Sequence, residues 1–285
     1  MLKRILTGIV VTGILLGAYL LDHRTPGTPA WCTAALGALV FFGALDELMA
    51  MGAARRGRRQ LGRVLGALWL ALLALPSLHP GQELAVFFGD VLVGACIIAS
   101  VHLALQLPGG PGPSAHRLAG SLWFQLPYVG GLACFVALLL AGALGFTVAV
   151  VLVTKSSDIG AYFAGHALGR HKLAPKISPN KTIEGAVGGL LLPALVAMWL
   201  LPGVQLLPFE RPELVLPGGA LSAALHGVVI GALAIVADLS ESLLKRSRSV
   251  KDSGHLLGQG GGLLDLADSL LLVGPFALAY TAVLA

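Results

Sequence analysis

The chain has 285 residues, of which 56% are hydrophobic and only 12% are charged, whereas about a quarter of the residues of a soluble domain are charged. This composition excludes an ordinary soluble domain, and apolar runs that recur from end to end favour a polytopic membrane protein. The net charge of +5 comes from short basic clusters without interleaved aromatic residues, so nucleic acid is not an expected partner.

Nine apolar runs are candidates for helices that cross a bilayer, each near the ~20 residues that a span requires. They cover residues 5–21, 31–53, 62–78, 84–106, 122–141, 145–166, 183–202, 219–244 and 262–284. The first run follows Lys3 and Arg4 but lacks a convincing small-residue cleavage site, so we interpret it as a span and not as a signal peptide. The sequence therefore predicts an all-α integral membrane protein with about nine transmembrane helices.

Basic clusters set the predicted orientation. They precede the first helix and follow the second, fourth, sixth and eighth, and they comprise Lys3, Arg4, Arg55, Arg56, Arg58, Arg59, Arg63, His116, Arg117, Arg170, Lys172, Lys176, Lys181, Lys245, Arg246, Arg248 and Lys251. The opposite loops carry only Arg24 and Arg211. Because cytoplasmic loops are rich in Lys and Arg, we predict a cytoplasmic N-terminus and an external C-terminus. We expect residues 1–150 to form N-terminal helices and residues 151–285 to carry a site that faces the cytoplasm.

The first of three polar segments extends from Thr154 to Gly189. Asp158 lies within an apolar stretch, where a lone carboxylate is costly and marks a candidate functional site. The run SPNKT from Ser178 to Thr182 leads into a helix, and polar side chains with free N–H groups at a helix start suit a phosphate. The alternative is a loop made basic only for topology.

The second polar segment extends from Ala237 to Arg246. On a helix, Asp238, Ser242 and Lys245 fall at i, i+4 and i+7 and so share one face. Glu241 and Lys245 are also i, i+4, and a salt bridge between them is the structural alternative.

The third polar segment is a glycine bend, Gly258 and Gly260 to Gly262, followed by Asp265 and Asp268 on one face of the ninth helix. Two carboxylates at this spacing repel each other unless a cation or protons intervene. A divalent metal completed by phosphate ligands is one answer, and the proton or sodium site of a transporter is another. Metal-type and phosphate-type ligands at one membrane face favour phosphoryl or nucleotidyl transfer.

These segments closely resemble the phosphatidate cytidylyltransferases, also called CDP-diacylglycerol synthases. That family's hallmark reads approximately S-x-x-K-R-x4-K-D-x-G-x-x-x-P-G-H-G-G-x-x-D-R-x-D. The residues in register with it are Ser242, Lys245, Arg246, Lys251, Asp252, Gly254, Gly261, Gly262, Asp265 and Asp268. The segments SDIGAYFAG, GRHKLAPKISPNKTIEG and ADLSESLLKR are similar to the family as well. The resemblance is strong over roughly residues 150–270, while the N-terminal half agrees in hydropathy and span count.

The resemblance implies transfer of a cytidylyl group from CTP to phosphatidic acid with Mg²⁺, at the cytoplasmic membrane of a bacterium. It implies metal binding by Asp238, Asp265 and Asp268, with a second metal ion left open. The other catalytic candidates are Lys245, Arg246, Lys251 and Asp252. The candidates for holding CTP are Asp158, Lys176, Ser178, Asn180, Lys181, Thr182 and Ser242. Glu47 is either a polar contact between helices or part of a lipid cavity, and a homodimer is left open.

Where the hallmark has P-G-H-G-G, this chain has Gly258-Gln259-Gly260-Gly261-Gly262. Two of the departures matter most: Gly260 stands at the family's His, and Leu266 stands at the Arg that follows the first carboxylate. His255, Gln259 or a nearby Arg could replace these groups. Without a replacement, a non-catalytic homologue that binds lipid or nucleotide is the alternative. An ion-coupled transporter is a further alternative, but its acids would lie near the bilayer midplane, whereas these cluster towards the cytoplasmic helix ends.

Overall fold

The computed structural model describes residues 14, 17–22, 29–52, 56–78, 83–201, 219–257 and 261–284. Most of the first predicted helix lies outside this part of the chain. The other sequence predictions that fall outside it concern Lys3, Arg4, Arg24, Arg55, the loop at 203–218, Gly258, Gln259 and Gly260.

Helices dominate the described residues. They are α1 (Trp31–Met51), α2 (Arg56–Leu78), α3 (Glu83–Ala104), α4 (Pro113–Ala119), α5 (Leu122–Leu140), α6 (Leu144–Leu168), α7 (Ile183–Leu200), α8 (Gly219–Ser247), α9 (Leu263–Ala267) and α10 (Val273–Leu284). Residues 17–22, at the end of the first predicted helix, are also helical. The second to eighth predicted helices are therefore confirmed as helices.

Six helices of the described residues are long and apolar enough to cross a membrane, or seven if one bent pair counts as a single span. The third predicted span lies within α2, which is not among the six. The first turns of α2 carry Arg56, Arg58, Arg59 and Arg63. The predicted multi-pass membrane protein is confirmed, while nine spans and the cytoplasmic N-terminus stay predictions.

The ninth predicted helix is broken, contrary to the expectation of one continuous span. A 3-10 turn at Asp268–Leu270 separates α9 from α10, and the segments before and after the break are bent by 47°. Pro275 lies in the first turn of α10, where a residue without an N–H group is tolerated. Gly131 of α5 lies so close to the break that a Cβ there would clash with the carbonyl oxygen of Leu271. The position of Pro275 at the start of α10 and the close packing against α5 together account for the bend.

A β-hairpin joins α6 to α7 and adds a small sheet to the predicted all-α fold. Strand β1 (Lys172–Ala174) pairs antiparallel with β2 (Ser178–Thr182). Thr182 caps α7, because its Oγ1 accepts a hydrogen bond of 3.1 Å from the backbone N of Gly185. The carboxylate of Glu184 accepts from the backbone N–H of His171 just before β1, at 3.2 Å. The hairpin is thus fixed to the start of α7.

The core surrounds α5, which is buried along most of its length. Helices α1, α2, α3 and α10 pack around it, and α6, α7 and α8 pack against one another as a second layer. One apolar cluster contains Phe41, Tyr128, Leu243 and Leu264, so residues from both sides of position 150 share a core. The division at residue 150 stays a prediction about chain organisation.

Candidate active site

Charged side chains from α1, α6, α8 and the hairpin meet around the broken ninth helix in two groups. The Lys245 group comprises Glu47, Glu241, Lys245, Ser253 and Asp265. The Asp268 group comprises Lys155, Asp158, Lys181, Asp238, Asp268 and Ser269.

Lys245 lies between two carboxylates of the first group. Its Nζ is 2.6 Å from Oδ1 of Asp265 and 2.5 Å from Oε2 of Glu241. This distance confirms the alternative of a Glu241–Lys245 salt bridge. Because Glu241 is fully buried, the salt bridge lies inside the protein. Separation of Lys245 from Glu241 would be costly, because it would leave an uncompensated charge inside the protein. The Glu241–Lys245 salt bridge therefore keeps Lys245 beside Asp265.

Asp265 is surrounded by hydrogen-bond donors. Its Oδ2 accepts from the backbone N–H of Gly262 at 2.7 Å, and from the backbone N–H and the hydroxyl of Ser253, both at 2.8 Å. Its Oδ1 accepts from Lys245. The carboxylate therefore ties the start of α9 to the loop that follows α8.

Glu47 reaches from α1 to the first turn of α9. Its oxygens accept from the backbone N–H groups of Leu263 and Leu264, both at 2.9 Å. Its Oε2 also lies 2.8 Å from the hydroxyl oxygen of Ser253, whose single proton is shared between Glu47 and Asp265. The first N–H groups of a helix have no partners within that helix, and Glu47 satisfies two of them. Of the two interpretations of Glu47, the structure supports the polar contact between helices.

Two glycines allow these carboxylates to approach the backbone. Gly261 has φ of +86°, in the left-handed region that glycine adopts without steric cost. A Cβ on Gly261 would meet the carboxylate of Asp265, and a Cβ on Gly262 would meet that of Glu47. The glycine bend is thus matched to both carboxylates.

The Asp268 group contains three carboxylates and two lysines. The negative charges of Asp238 and Asp158 act on the carboxyl of Asp268, and the positive charge of Lys155 partly offsets them. Lys181, from β2, lies 2.5 Å from Oδ2 of Asp238. Lys155 lies 3.3 Å from Oδ2 of Asp158. Each lysine offsets part of the repulsion between the three carboxylates, although the carboxylates outnumber the lysines.

The other predicted site residues lie around these two groups. Arg246 donates to the backbone oxygens of Ile177, in the hairpin, and Val250, at 3.3 Å in each case. Half-buried side chains are those of Ser178 and Ser242, and exposed side chains are those of Lys176, Asn180, Lys251 and Asp252. The structure thus brings together Asp158, Lys181, Asp238 and Asp268, and separately Lys245 and Asp265.

Sequence reasoning missed Lys155, Ser253 and Ser269. Lys155 is a lone lysine inside an apolar helix. A charge within a membrane is costly and marks a candidate functional residue, so the criterion that identified Asp158 applies to Lys155 as well. Ser253 and Ser269 are buried hydroxyls with no distinguishing sequence pattern.

The donor set bears on the predicted metal. Among the described residues, no three His, Cys, Asp or Glu side chains form a group that could hold a metal ion by themselves. Asp238 and Asp268 lie near each other and are half-buried, and carboxylate oxygens suit Mg²⁺. Mg²⁺ commonly binds through one or two carboxylates together with substrate phosphates. The pair therefore fits a metal that shares its ligands with a phosphorylated substrate.

Apolar helices around a partly buried cluster of carboxylates and lysines define a multi-pass membrane protein with a polar site among its helices. Residues 2–284 match the family described as the cytidylyltransferase family. The chain belongs to that family, and the resemblance seen in its sequence is confirmed.

Two of the curated relatives are similar over nearly the whole chain, and a third over less than half of it. The phosphatidate cytidylyltransferase of Pseudomonas aeruginosa is 36% identical over 274 residues, covering 94% of this chain and 92% of that protein. The one from Brucella suis is 34% identical over 283 residues, covering 97% and 93%. The one from Bacillus subtilis is 47% identical over 125 residues, covering 44% and 43%.

Proposed function

We propose that this protein transfers the cytidylyl group of CTP to phosphatidic acid, forming CDP-diacylglycerol and pyrophosphate at the bacterial inner membrane. The observation that carries the proposal is similarity to phosphatidate cytidylyltransferases over more than nine tenths of both chains. The clustered lysines and carboxylates supply the type of site that the reaction needs. No feature of the described residues favours an ion-coupled transporter over this enzyme.

The chemistry requires two anions to meet. A phosphomonoester has its second pKa near ~6 and is largely ionised at neutral pH, so the attacking oxygen of phosphatidic acid needs no strong general base. That oxygen forms a bond to the α-phosphorus of CTP, the bond from this phosphorus to the bridging oxygen breaks, and pyrophosphate leaves. Lys181, Lys245, Arg246 and Lys251 are proposed to offset the negative charge as it develops.

Asp238 and Asp268 are the proposed ligands of one Mg²⁺, together with phosphate oxygens. The ion would neutralise phosphate charge and polarise the phosphorus–oxygen bonds. Asp265 is a third proposed ligand, but metal binding there requires it to give up one of its four hydrogen-bond donors. A second ion stays open.

The hairpin and the adjoining face of α8 form the proposed nucleotide side. Lys176 and Asn180 are exposed and free to reach phosphate or base. The remaining members are Ser178, Lys181, Thr182 and Ser242, together with Asp158 of α6, while Asp252 stays a catalytic candidate. Of these, Thr182 already caps α7, so its expected contribution is to place the hairpin.

The test uses purified full-length protein with CTP, phosphatidic acid and Mg²⁺, and measures pyrophosphate and CDP-lipid together. We expect both products in equal amounts, and neither without CTP or without Mg²⁺. Diacylglycerol in place of phosphatidic acid is the matched control, because it lacks the attacking phosphate. A folded protein that binds CTP or phosphatidic acid yet forms no product would establish the non-catalytic alternative. The homodimer is not needed for this chemistry and stays a prediction.

A further inference from the structure

Lys155 is a cation that lies beside Leu266, the position at which the related family has an arginine and this chain has none. It belongs to α6 and lies three residues before Asp158. Its ammonium group can donate three hydrogen bonds, and the structure provides three acceptors. Nζ lies 2.8 Å from the hydroxyl oxygen of Ser269, 3.0 Å from the backbone oxygen of Leu266 and 3.3 Å from Oδ2 of Asp158.

These contacts differ from an ordinary surface ion pair. The Lys155–Asp158 pair by itself is partly exposed, with 34% and 42% of the two side chains accessible, and such pairs contribute little to stability. Ser269, however, is fully buried, and its hydroxyl also donates to Oδ2 of Asp158 at 3.2 Å. Lys155 therefore connects α6 to α9 and to the 3-10 turn that follows it through a closed set of hydrogen bonds.

The charges of the surrounding group give this lysine a specific task. Asp268 interacts with Asp238 and Asp158, which repel it, and with Lys155, which attracts it. Lys181 is engaged with Asp238. Lys155 contacts Asp158 directly, and its positive charge offsets part of the repulsion that acts on Asp268.

The backbone oxygen that Lys155 contacts belongs to Leu266, the residue that replaces the family's arginine. The leucine side chain is 38% exposed and apolar, so it supplies no charge. A cation from a different helix nevertheless reaches the backbone of this residue and the hydroxyl of Ser269.

We propose that Lys155 is a positioning residue of the active site, and that its ammonium group replaces the arginine missing at Leu266. It holds Asp158 and the turn that carries Asp268 and Ser269 in the arrangement that receives the nucleotide and its metal. The proposal rests on the proposed function, since it assigns a role within the same reaction.

The test is a set of four proteins: native, Lys155→Met, Lys155→Arg, and Lys155→Met combined with Leu266→Arg. Methionine keeps the length of the side chain and removes the charge. Loss of a charge-assisted hydrogen-bond network should lower kcat roughly tenfold to a hundredfold, with a much smaller change in KM for phosphatidic acid. Lys155→Arg should keep most of the activity, and Leu266→Arg should restore activity to Lys155→Met. Arg63→Met is the matched control, because Arg63 also pairs with a carboxylate but outside the site, and its kcat should be unchanged.

Two results would overturn the proposal: near-native kcat for Lys155→Met, or a double variant as slow as Lys155→Met. A lowered melting temperature that tracks the lost activity, with no rescue by Leu266→Arg, would show a merely structural lysine. If the native protein makes no CDP-lipid, the proposed function fails independently. In that case, the rise in melting temperature that CTP and Mg²⁺ produce tests the role of Lys155. This rise should be absent in Lys155→Met and should return in the double variant.

Discussion

Asp265 and Asp268 are three residues apart, and the structure gives them different surroundings. Asp265 accepts hydrogen bonds from Lys245, Ser253 and Gly262, whereas Asp268 lies among other carboxylates. Two like charges at this spacing need a cation between or beside them, and lysines already provide part of that charge. The two aspartates are therefore expected to respond differently to the same substitution.

Asp265→Asn and Asp268→Asn should both reduce turnover strongly, but only the first should destabilise the fold. Asparagine at 265 weakens bonds to a charged acceptor, each worth about 1.5–3 kcal/mol. Asparagine at 268 relieves repulsion with Asp238 and Asp158. Melting temperature and CDP-lipid synthesis across a Mg²⁺ titration, measured on both variants, separate the effects. Near-normal activity of Asp268→Asn would remove it from the metal site, and an unchanged melting temperature for Asp265→Asn would contradict its tie to the α9 start.

Glu47→Ala should destabilise the protein more than Asp46→Asn, although the two carboxylates are neighbours. Removal of Glu47 leaves the N–H groups of Leu263 and Leu264 without their acceptor, at a cost of about 1–3 kcal/mol for each buried group. Asp46 pairs with Arg63 on an exposed surface, where a pair contributes about 0–1 kcal/mol. Thermal unfolding in one detergent gives the comparison. Equal melting temperatures for the two variants would show that Glu47 does not support α9.

At the scale of elements, apolar runs predicted where the helices lie but not how the last one bends. Length and hydropathy are local properties, and they located α1, α5, α6, α7 and α8 well. The break before α10 depends on close contact with Gly131 of α5, which no local pattern contains. The hairpin escaped prediction because its strands have only three and five residues, too few for an alternating apolar pattern.

The glycine bend gives a prediction for the element that carries both aspartates. Gly261→Ala should disturb α9, because φ is +86° there and a Cβ would meet the carboxylate of Asp265. A left-handed conformation costs an L-residue about 1–2 kcal/mol. Gly94→Ala in α3 is the matched control, since no atom lies within 4 Å of its Cβ position and alanine favours helix by up to ~1 kcal/mol. We expect lower activity and melting temperature for Gly261→Ala only, and equal behaviour of the two variants would contradict the assigned role of the bend.

At the scale of the molecule, most of the charged groups lie towards one end of the helices that carry them. Asp238, Glu241 and Lys245 belong to the last turns of α8, and Lys181 belongs to the strand before α7, while Lys155 and Asp158 lie near the middle of α6. The same types of residue had suggested from the sequence that metal and phosphate ligands share one face. Their pairing could not be predicted, because Lys245–Asp265 and Lys181–Asp238 join separate elements. Which membrane side this end faces is a prediction from the basic clusters alone.

Cysteine labelling tests that orientation in cells. Native Cys32 is exposed at the start of α1, on the side predicted to be external, so an impermeant thiol reagent should label it. Gly57→Cys and Ser249→Cys, each in a Cys32→Ser background, should be protected until the membrane is permeabilised, because basic residues surround both positions. Cys96 and Cys134 are buried and should stay silent throughout. External labelling at position 57 or 249 would contradict the predicted orientation and would place the proposed site away from cytoplasmic CTP. Protection of Cys32 together with both introduced cysteines would contradict an external start of α1.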